Sequence, residues 1–427
     1  MCFVWIKMTN FVALTIDCPS WTRKSIASRR CLQRRKLVGK SKCNYISTER
    51  IYNNMANTNL ANAKTAKNDE FYTQYPDIQK EINAYLDYDP NVFRGKTVLL
   101  PCDDPEWSNF TKFFAQNFEL LGLKKLISTS YAPESKKYKM PYQPTLFETQ
   151  QPYFNPDKSK TNGKIFVLTE DVSGDGRINL EDLQWQYLEG DGDFRSKEIR
   201  KLRDEADIIV TNPPFSLFRE FLAWIMEAEK KFLIIGNINA IAYKEVFPLI
   251  MNNKIWTGCR FNKRVNGKNM TFLVPDYYEM SGTELYMDEN GNKFISVAGT
   301  GWFTNLEHGR RHEPLRLMTM AENFKHSKHK EVRGRKDYEH YINYDAIEIP
   351  FTDAIPSDYD GTMGVPISFI DKYCPEQFEI IGIGLELANM DIIKKKLGKL
   401  NGGPRLYVER DGELVRLYER ILIRKKQ

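Results

Sequence analysis

An α/β fold built on a largely parallel sheet is what this 427-residue sequence predicts. Three observations carry the prediction. From about Asp69 onward, short apolar runs alternate with amphipathic ones. The short runs are apolar almost throughout, as strands buried on both faces are. Polar motifs follow several of those runs directly, at the carboxyl ends where open α/β sheets collect ligands.

The elements follow in chain order. Residues 97–100 (TVLL) read as a strand, and residues 109–121 (NFTKFFAQNFELL) space their aromatics as a helix does. Residues 125–130 form a second strand. Residues 132–163, rich in Pro, Lys and Gln, read as a surface excursion. Strand-like runs return at 165–168, at 206–211 and at 232–236. Amphipathic helices follow at 217–229 and 243–251. There is no internal repeat.

The proposed organisation is an extension over 1–54, a cofactor-binding and catalytic core over 55–253 with an insert at 132–190, a recognition region over 254–345, and a C-terminal region over 346–427. Residues 1–54 stand apart. They carry 11 Lys/Arg against 2 Asp/Glu, while the remainder holds 51 basic and 54 acidic residues, so the net +6 of the chain is an average over unlike parts. The segment reads as a transit peptide, as a basic arm touching phosphates, or as a start upstream of a true beginning at Met55. The last is favoured, and poor order is expected.

Four of the seven cysteines (Cys2, Cys18, Cys31, Cys43) lie in that extension and no CxxC pair occurs. A zinc site and a disulfide framework are therefore not expected, and a reducing cytoplasm is. No apolar stretch is long enough to span a membrane.

The tetrapeptide Asn212-Pro213-Pro214-Phe215 directly follows the apolar run ending at Thr211. Its composition suits one chemical problem, methylation of the exocyclic nitrogen of adenine. That nitrogen is a poor nucleophile because its lone pair is delocalised into the ring. Two acceptors beside its N–H groups favour a pyramidal nitrogen with a localised pair. The Asn212 side-chain oxygen is one, and the Pro213 carbonyl, held stiff by consecutive prolines, is the other. Phe215 is placed to stack on a base swung out of the duplex.

The chain resembles the EcoRI-type adenine-specific DNA methyltransferase family. The resemblance rests on Asp69-Glu-Phe-Tyr-Thr-Gln74, Cys102-Asp-Asp-Pro105 with Ser108-Asn109-Phe110, Gly190-Asp-Gly-Asp-Phe-Arg-Ser196 and Thr211-Asn-Pro-Pro-Phe-Ser216. Further stretches are Lys230-Lys-Phe-Leu-Ile-Ile235, Tyr243-Lys-Glu-Val-Phe247, Met363-Gly-Val-Pro-Ile367 and Pro375-Glu-Gln-Phe378. It runs from Asp69 to the C-terminus and leaves out residues 1–54.

It implies a Rossmann-like S-adenosylmethionine-dependent sheet with a smaller target-recognition region. It implies that Phe71, Tyr72 and Thr73 close over the methionine end of the cofactor. The usual glycine-rich turn after the first strand is replaced by Pro101-Cys102-Asp103-Asp104-Pro105. The resemblance makes Asp103 or Asp104 the acceptor of the cofactor's amino group, with helix capping as the plainer alternative. Asp193, with Asp191 as the alternative acid, is implied to accept from the adenine amino group of the cofactor while Phe194 packs on its ring. A restriction endonuclease acting on the same DNA site is compatible with the family, without direct contact.

Two further features are read from the residues. Asp171, Ser173, Asp175, Arg177 and Asp182 occupy positions 1, 3, 5, 7 and 12 of an EF-hand-like loop, with Gly176 at 6, so calcium is an open expectation with a plain acidic turn as its rival. The exiting helix would cover residues 180–188. Residues 308–336 carry 9 Lys/Arg and 3 Glu inside an otherwise acidic body. Arg310, Arg311, Arg316, Lys328, Lys330, Arg333 and Arg335 are expected to touch DNA phosphates.

Two other functions compete: methyl transfer to RNA or to a protein amide, and DNA binding without catalysis.

Overall fold

Apolar β-branched runs need partners on both sides, and the chain supplies them in one large sheet. In a computed structural model, residues 72–103, 108–132, 149, 153–179, 182–259, 270–274, 285–297, 299–398 and 402–426 are described. All fall within one unit, Glu49–Gln427. The strands of the first three-quarters are β1 (Tyr72–Thr73), β2 (Thr97–Leu100), β3 (Lys125–Thr129), β4 (Lys164–Leu168), β5 (Gln184–Tyr187) and β6 (Ile208–Thr211). They continue with β7 (Lys231–Asn237), β8 (Trp256–Thr257), β9 (Thr271–Val274), β10 (Leu285–Met287), β11 (Lys293–Ser296) and β12 (Thr300–Thr304).

Eight of them form the main sheet in the order β5-β4-β3-β2-β6-β7-β12-β8. Its centre is parallel: β2 pairs in parallel with both β3 and β6, and β6 with β7. Successive side chains of these strands enter opposite layers. Leu99, Ile209, Phe232 and Ile234 join one core, while Val98, Leu100, Val210, Leu233 and Ile235 join the other. The first core is closed by the helix Phe218–Glu227, whose Phe218, Phe221, Leu222 and Ile225 recur at helical spacing and are all buried. The second is closed by the helices Tyr75–Tyr88 and Asn109–Gln116.

The sheet is mixed, where the sequence predicts a parallel one. β4 runs antiparallel to β3, β5 antiparallel to β4, and β12 antiparallel to both β7 and β8. The helix predicted over 180–188 is instead β5 at Gln184–Tyr187. There Trp185 is buried between Gln184 and Gln186, a period-2 pattern that pairs with β4. The helix predicted over 109–121 breaks at Asn117, which caps the short helix Phe118–Leu121. The sheet also runs past residue 253, because β8 and β12 belong to it. What lies between them, β9 to β11, pairs with β1 in a separate four-stranded sheet.

The C-terminal strands β13 (Ile347–Glu348), β14 (Met363–Pro366), β15 (Phe378–Ile383) and β18 (Arg420–Lys425) make a sheet of their own. A hairpin of β16 (Tyr407–Arg410) and β17 (Glu413–Arg416) lies between β15 and β18 in sequence. Met363, Phe378, Ile421 and Ile423 pack into the same core as the helix Phe218–Glu227. Among the described residues no helix is long and apolar enough to cross a membrane.

Candidate active site

From β2 the chain crosses to β3 on one side, and from β6 it crosses to β7 on the other, so the strand order reverses between β2 and β6. A crevice outside the carboxyl ends at such a reversal is where open α/β sheets bind ligands. Two sequence motifs meet there, Cys102-Asp103 after β2 and Asn212-Pro213-Pro214-Phe215 after β6.

Pro213 is buried, and Asn212, Pro214 and Phe215 are half-buried. The prolines have no N–H to donate. The turn closes instead through Leu217 N–H, which donates to Pro214 O at 2.9 Å and leads into the helix Phe218–Glu227. The Phe215 ring meets Phe272 of β9 edge-on at 6.2 Å.

Asp103 lies beneath this turn and is buried. Its carboxylate accepts from Ser108 Oγ and from Thr211 Oγ1, each at 2.7 Å. Its backbone N–H donates to Thr129 O at 3.0 Å, and its carbonyl accepts from Ser128 Oγ at 2.7 Å. One residue thereby joins the ends of β2, β3 and β6. The carboxylate predicted to receive a cofactor amino group has a hydroxyl on each oxygen. Ser108 in turn caps the helix Asn109–Gln116, accepting from Phe110 N–H at 3.0 Å. Ser108 and Thr211 stand in motifs quoted above, but the Thr211 bond to Asp103 is not written in the sequence, because no local pattern announces a bond across 108 residues.

Asn109 Nδ2 donates to Thr73 O at 2.8 Å, which brings β1 to the same crevice. Thr73 pairs with Phe272 in the four-stranded sheet. Its Oγ1 is buried and has no hydrogen-bond partner among the described residues. Tyr72 is half-buried beside it. Phe71 and Asp104 lie outside the described residues.

Asp193 reaches the carboxyl end of β3 through a tight loop. Gly192 has φ +84°, and a Cβ there would stand 2.2 Å from Ser130 O, so this approach needs glycine. The Arg195 guanidinium bonds the Asp193 carboxylate at 2.6 Å and holds its pKa below the usual carboxylate range. Phe194, predicted to pack on a cofactor ring, is buried in the core, edge-on to Phe221 at 5.1 Å and to Trp224 at 5.7 Å. With Leu188, it anchors the two ends of this polar, glycine-rich loop in the core.

Over residues 59–426 the chain matches the family described as adenine-specific methyltransferase EcoRI. The chain belongs to that family. It is 44% identical to the Type II methyltransferase M.EcoRI of Escherichia coli, over 77% of this chain and 90% of the relative. It is 32% identical to M.MpnI of Mycoplasma pneumoniae, over 78% of this chain and 88% of the relative. It is 33% identical to M.MgeORF184P of Mycoplasma genitalium, over 86% and 98%. Both of these are likewise Type II methyltransferases. No solved structure matches the chain.

In this EcoRI-family chain the basic segment divides in two. Arg310 is turned inward, its guanidinium on Asp371 and on the Cys259 carbonyl. Arg311 is buried, its guanidinium carbon 3.6 Å from the centroid of the Trp256 ring and Nη2 3.0 Å from Asn253 Oδ1. Burial pulls its pKa below the usual arginine value, which Glu307 opposes. For these two the expectation of DNA contact meets an internal role. Lys328 pairs with Asp353 at 2.7 Å and Arg335 with Glu339 at 3.4 Å. Arg316, Lys330 and Arg333 are exposed and have no ion pair among the described residues.

The calcium expectation gains no support. Asp182 Oδ1 accepts from the amides of Val172 and Ser173, and Oδ2 from Asn179. Asp171 takes the amides of Gly174 and Gly176, and Asp175 that of Arg177. These carboxylates satisfy the amides of their own turn. Among the described residues no group of three or more His, Cys, Asp or Glu is placed to hold a metal ion.

Proposed function

We propose that this EcoRI-family protein transfers a methyl group from S-adenosylmethionine to N6 of an adenine in duplex DNA. The observation that carries the reading is the Asn212-Pro213-Pro214-Phe215 turn, standing at the carboxyl end of β6 where the strand order reverses. The parallel centre with its reversal supports the reading, because open α/β sheets bind ligands at that point.

The cofactor's sulfonium supplies an activated methyl group and its own leaving group. Thr73 Oγ1, buried at the crevice with no hydrogen-bond partner among the described residues, fits a polar ligand there. Tyr72, next to it in the chain, and Asp193, beyond the carboxyl end of β3, are the other residues assigned to the cofactor. Asn212 and the Pro213 carbonyl accept from the target amino group and direct its lone pair. Phe215 stacks on the extruded base. The chain's part is to position the two partners and exclude water, with reacting atoms about 3–3.5 Å apart. Arg316, Lys330 and Arg333 reach phosphates, in the stretch over 254–345 read as target recognition. A restriction endonuclease reading the same site would share the DNA without touching this chain.

The test is to incubate the full chain with duplex DNA and methyl-labelled S-adenosylmethionine, digest the DNA, and identify the labelled nucleoside. Label in N6-methyladenine is expected. Asn212→Ala is expected to lower kcat by about 100-fold or more with cofactor affinity retained. Label absent from DNA but present in RNA or protein would replace this reading with methylation of those substrates. DNA binding without cofactor binding would point to a non-catalytic protein.

A further inference from the structure

A series of hydrogen bonds joins the two sides of the crevice. Thr73 O accepts from Asn109 Nδ2 at 2.8 Å, and Asn109 is the first residue of the helix that Ser108 caps. Ser108 Oγ donates to one oxygen of Asp103 at 2.7 Å. The other oxygen accepts from Thr211 Oγ1, also at 2.7 Å, and Thr211 is the residue before Asn212. The series thus begins on the strand beside the crevice, passes through one buried carboxylate, and ends at the backbone that aims Asn212.

A carboxylate so placed is destabilising by itself. Removing it from water costs several kcal/mol unless donors replace the solvent. Stability alone would be served as well by an apolar residue. What the carboxylate does supply is direction. It accepts from two hydroxyls fixed on different elements, and its own backbone bonds Thr129 and Ser128, so neither donor can shift without the other. Threonine at the last position of β6 has χ1 restricted by β-branching, so a hydroxyl fixed in space also fixes the backbone turn that follows.

We infer that Asp103 is a positioning residue, which reaches the reaction through Thr211 rather than through the cofactor and couples β1 to the orientation of Asn212. The inference rests on the reading of Asn212 as the acceptor for the target amino group.

The experiment compares the full-length wild type with Thr211→Val, Thr211→Ser, Asp103→Asn and the Asp103→Asn/Thr211→Val pair. It measures kcat for DNA methylation, Kd for S-adenosylmethionine, and the thermal midpoint. Thr211→Val keeps shape and loses only the donor. It is expected to lower kcat about 10-fold or more and to leave the cofactor Kd within about 2-fold. Thr211→Ser restores the hydroxyl and is expected to recover kcat to within about 3-fold, which a loss of packing alone would not allow. The double variant is expected to be no slower than the slower single variant, because both cut one connection.

Wild-type kcat in Thr211→Val overturns the inference. So do multiplicative losses in the double variant, or a loss of cofactor affinity in Asp103→Asn that Thr211→Val does not share. That last result would make Asp103 a ligand-binding residue. A wild type that binds cofactor but methylates no DNA fails the functional reading, and the inference with it. Should Thr211→Val be too unstable to assay, Thr211→Ser against Asp103→Asn still decides, since the first keeps the bond and the second disturbs it.

Discussion

Arg310 and Arg311 shortly precede Arg316 in one basic run, yet the two groups do opposite things. The first pair points into the protein. Arg311 lies over the indole of Trp256, a residue of β8, and Arg310 ties the segment after β8 to the turn Ile367–Lys372 through Asp371. Arg316, Lys330 and Arg333 are turned to solvent, with no ion pair among the described residues. Net charge counts both groups alike. Of these two groups, only the second adds to the field that DNA would meet, because a cation already neutralised inside the fold releases no counterion from a duplex. Local charge density therefore overstates a nucleic-acid surface wherever arginines double as packing groups.

The largest effect that would break this division is on stability. Arg311→Ala removes a stacked guanidinium and its bond to Asn253, and is expected to cost about 2–3 kcal/mol, read from the urea midpoint. An unchanged midpoint accompanied by lost DNA affinity would move Arg311 to the outward group. Next comes the triple change of Arg316, Lys330 and Arg333 to Ala. Its stability should stay within about 0.5 kcal/mol of wild type. The dependence of DNA affinity on salt should flatten by about 0.9 in slope for each phosphate no longer neutralised. The same slope as wild type would detach this surface from DNA. Lys328→Ala breaks an exposed pair, and a loss below about 1 kcal/mol is expected by the same urea titration. The smallest effect is nil: millimolar calcium should leave the melting midpoint where it was, because the Asp171 and Asp182 carboxylates are occupied by the amides of their own turn. A calcium-dependent rise would restore that loop as a binding site.

The parallel centre was legible from sequence because β2, β6 and β7 bury both faces, and unbroken apolar runs such as Ile208–Thr211 have no other stable use. The position of the Asn212–Phe215 tetrapeptide at a strand end was legible because it directly follows an apolar run. β5 was not, since two glutamines around one tryptophan make too short a pattern to tell a strand from a helix turn. Nor were the antiparallel directions of β4 and β12, which depend on where the chain returns. The surroundings of Asp103 depend on Thr211, far along the chain, and the inward turn of Arg310 and Arg311 depends on Asp371 and Trp256. Acidic and basic side chains advertise charge in a sequence, but whether that charge is neutralised inside is decided by tertiary neighbours.

The position of β12 between β7 and β8 has a consequence for how the protein is made. β8 ends at Thr257, well before the strand it pairs with begins at Thr300, and β7 waits longer still for its second neighbour. While residues 258–299 emerge from the ribosome, the far edge of β7 is an open row of unpaired backbone groups on an apolar strand, the kind of edge that recruits other chains. The sheet closes only when Thr304 arrives. A nascent chain stalled inside that interval should therefore be the most aggregation-prone species in its biosynthesis. An insertion within β9 or β11 should be costly, because β9 pairs with β1 and β11 with β9, and the two strands bury Phe272 and Ile295.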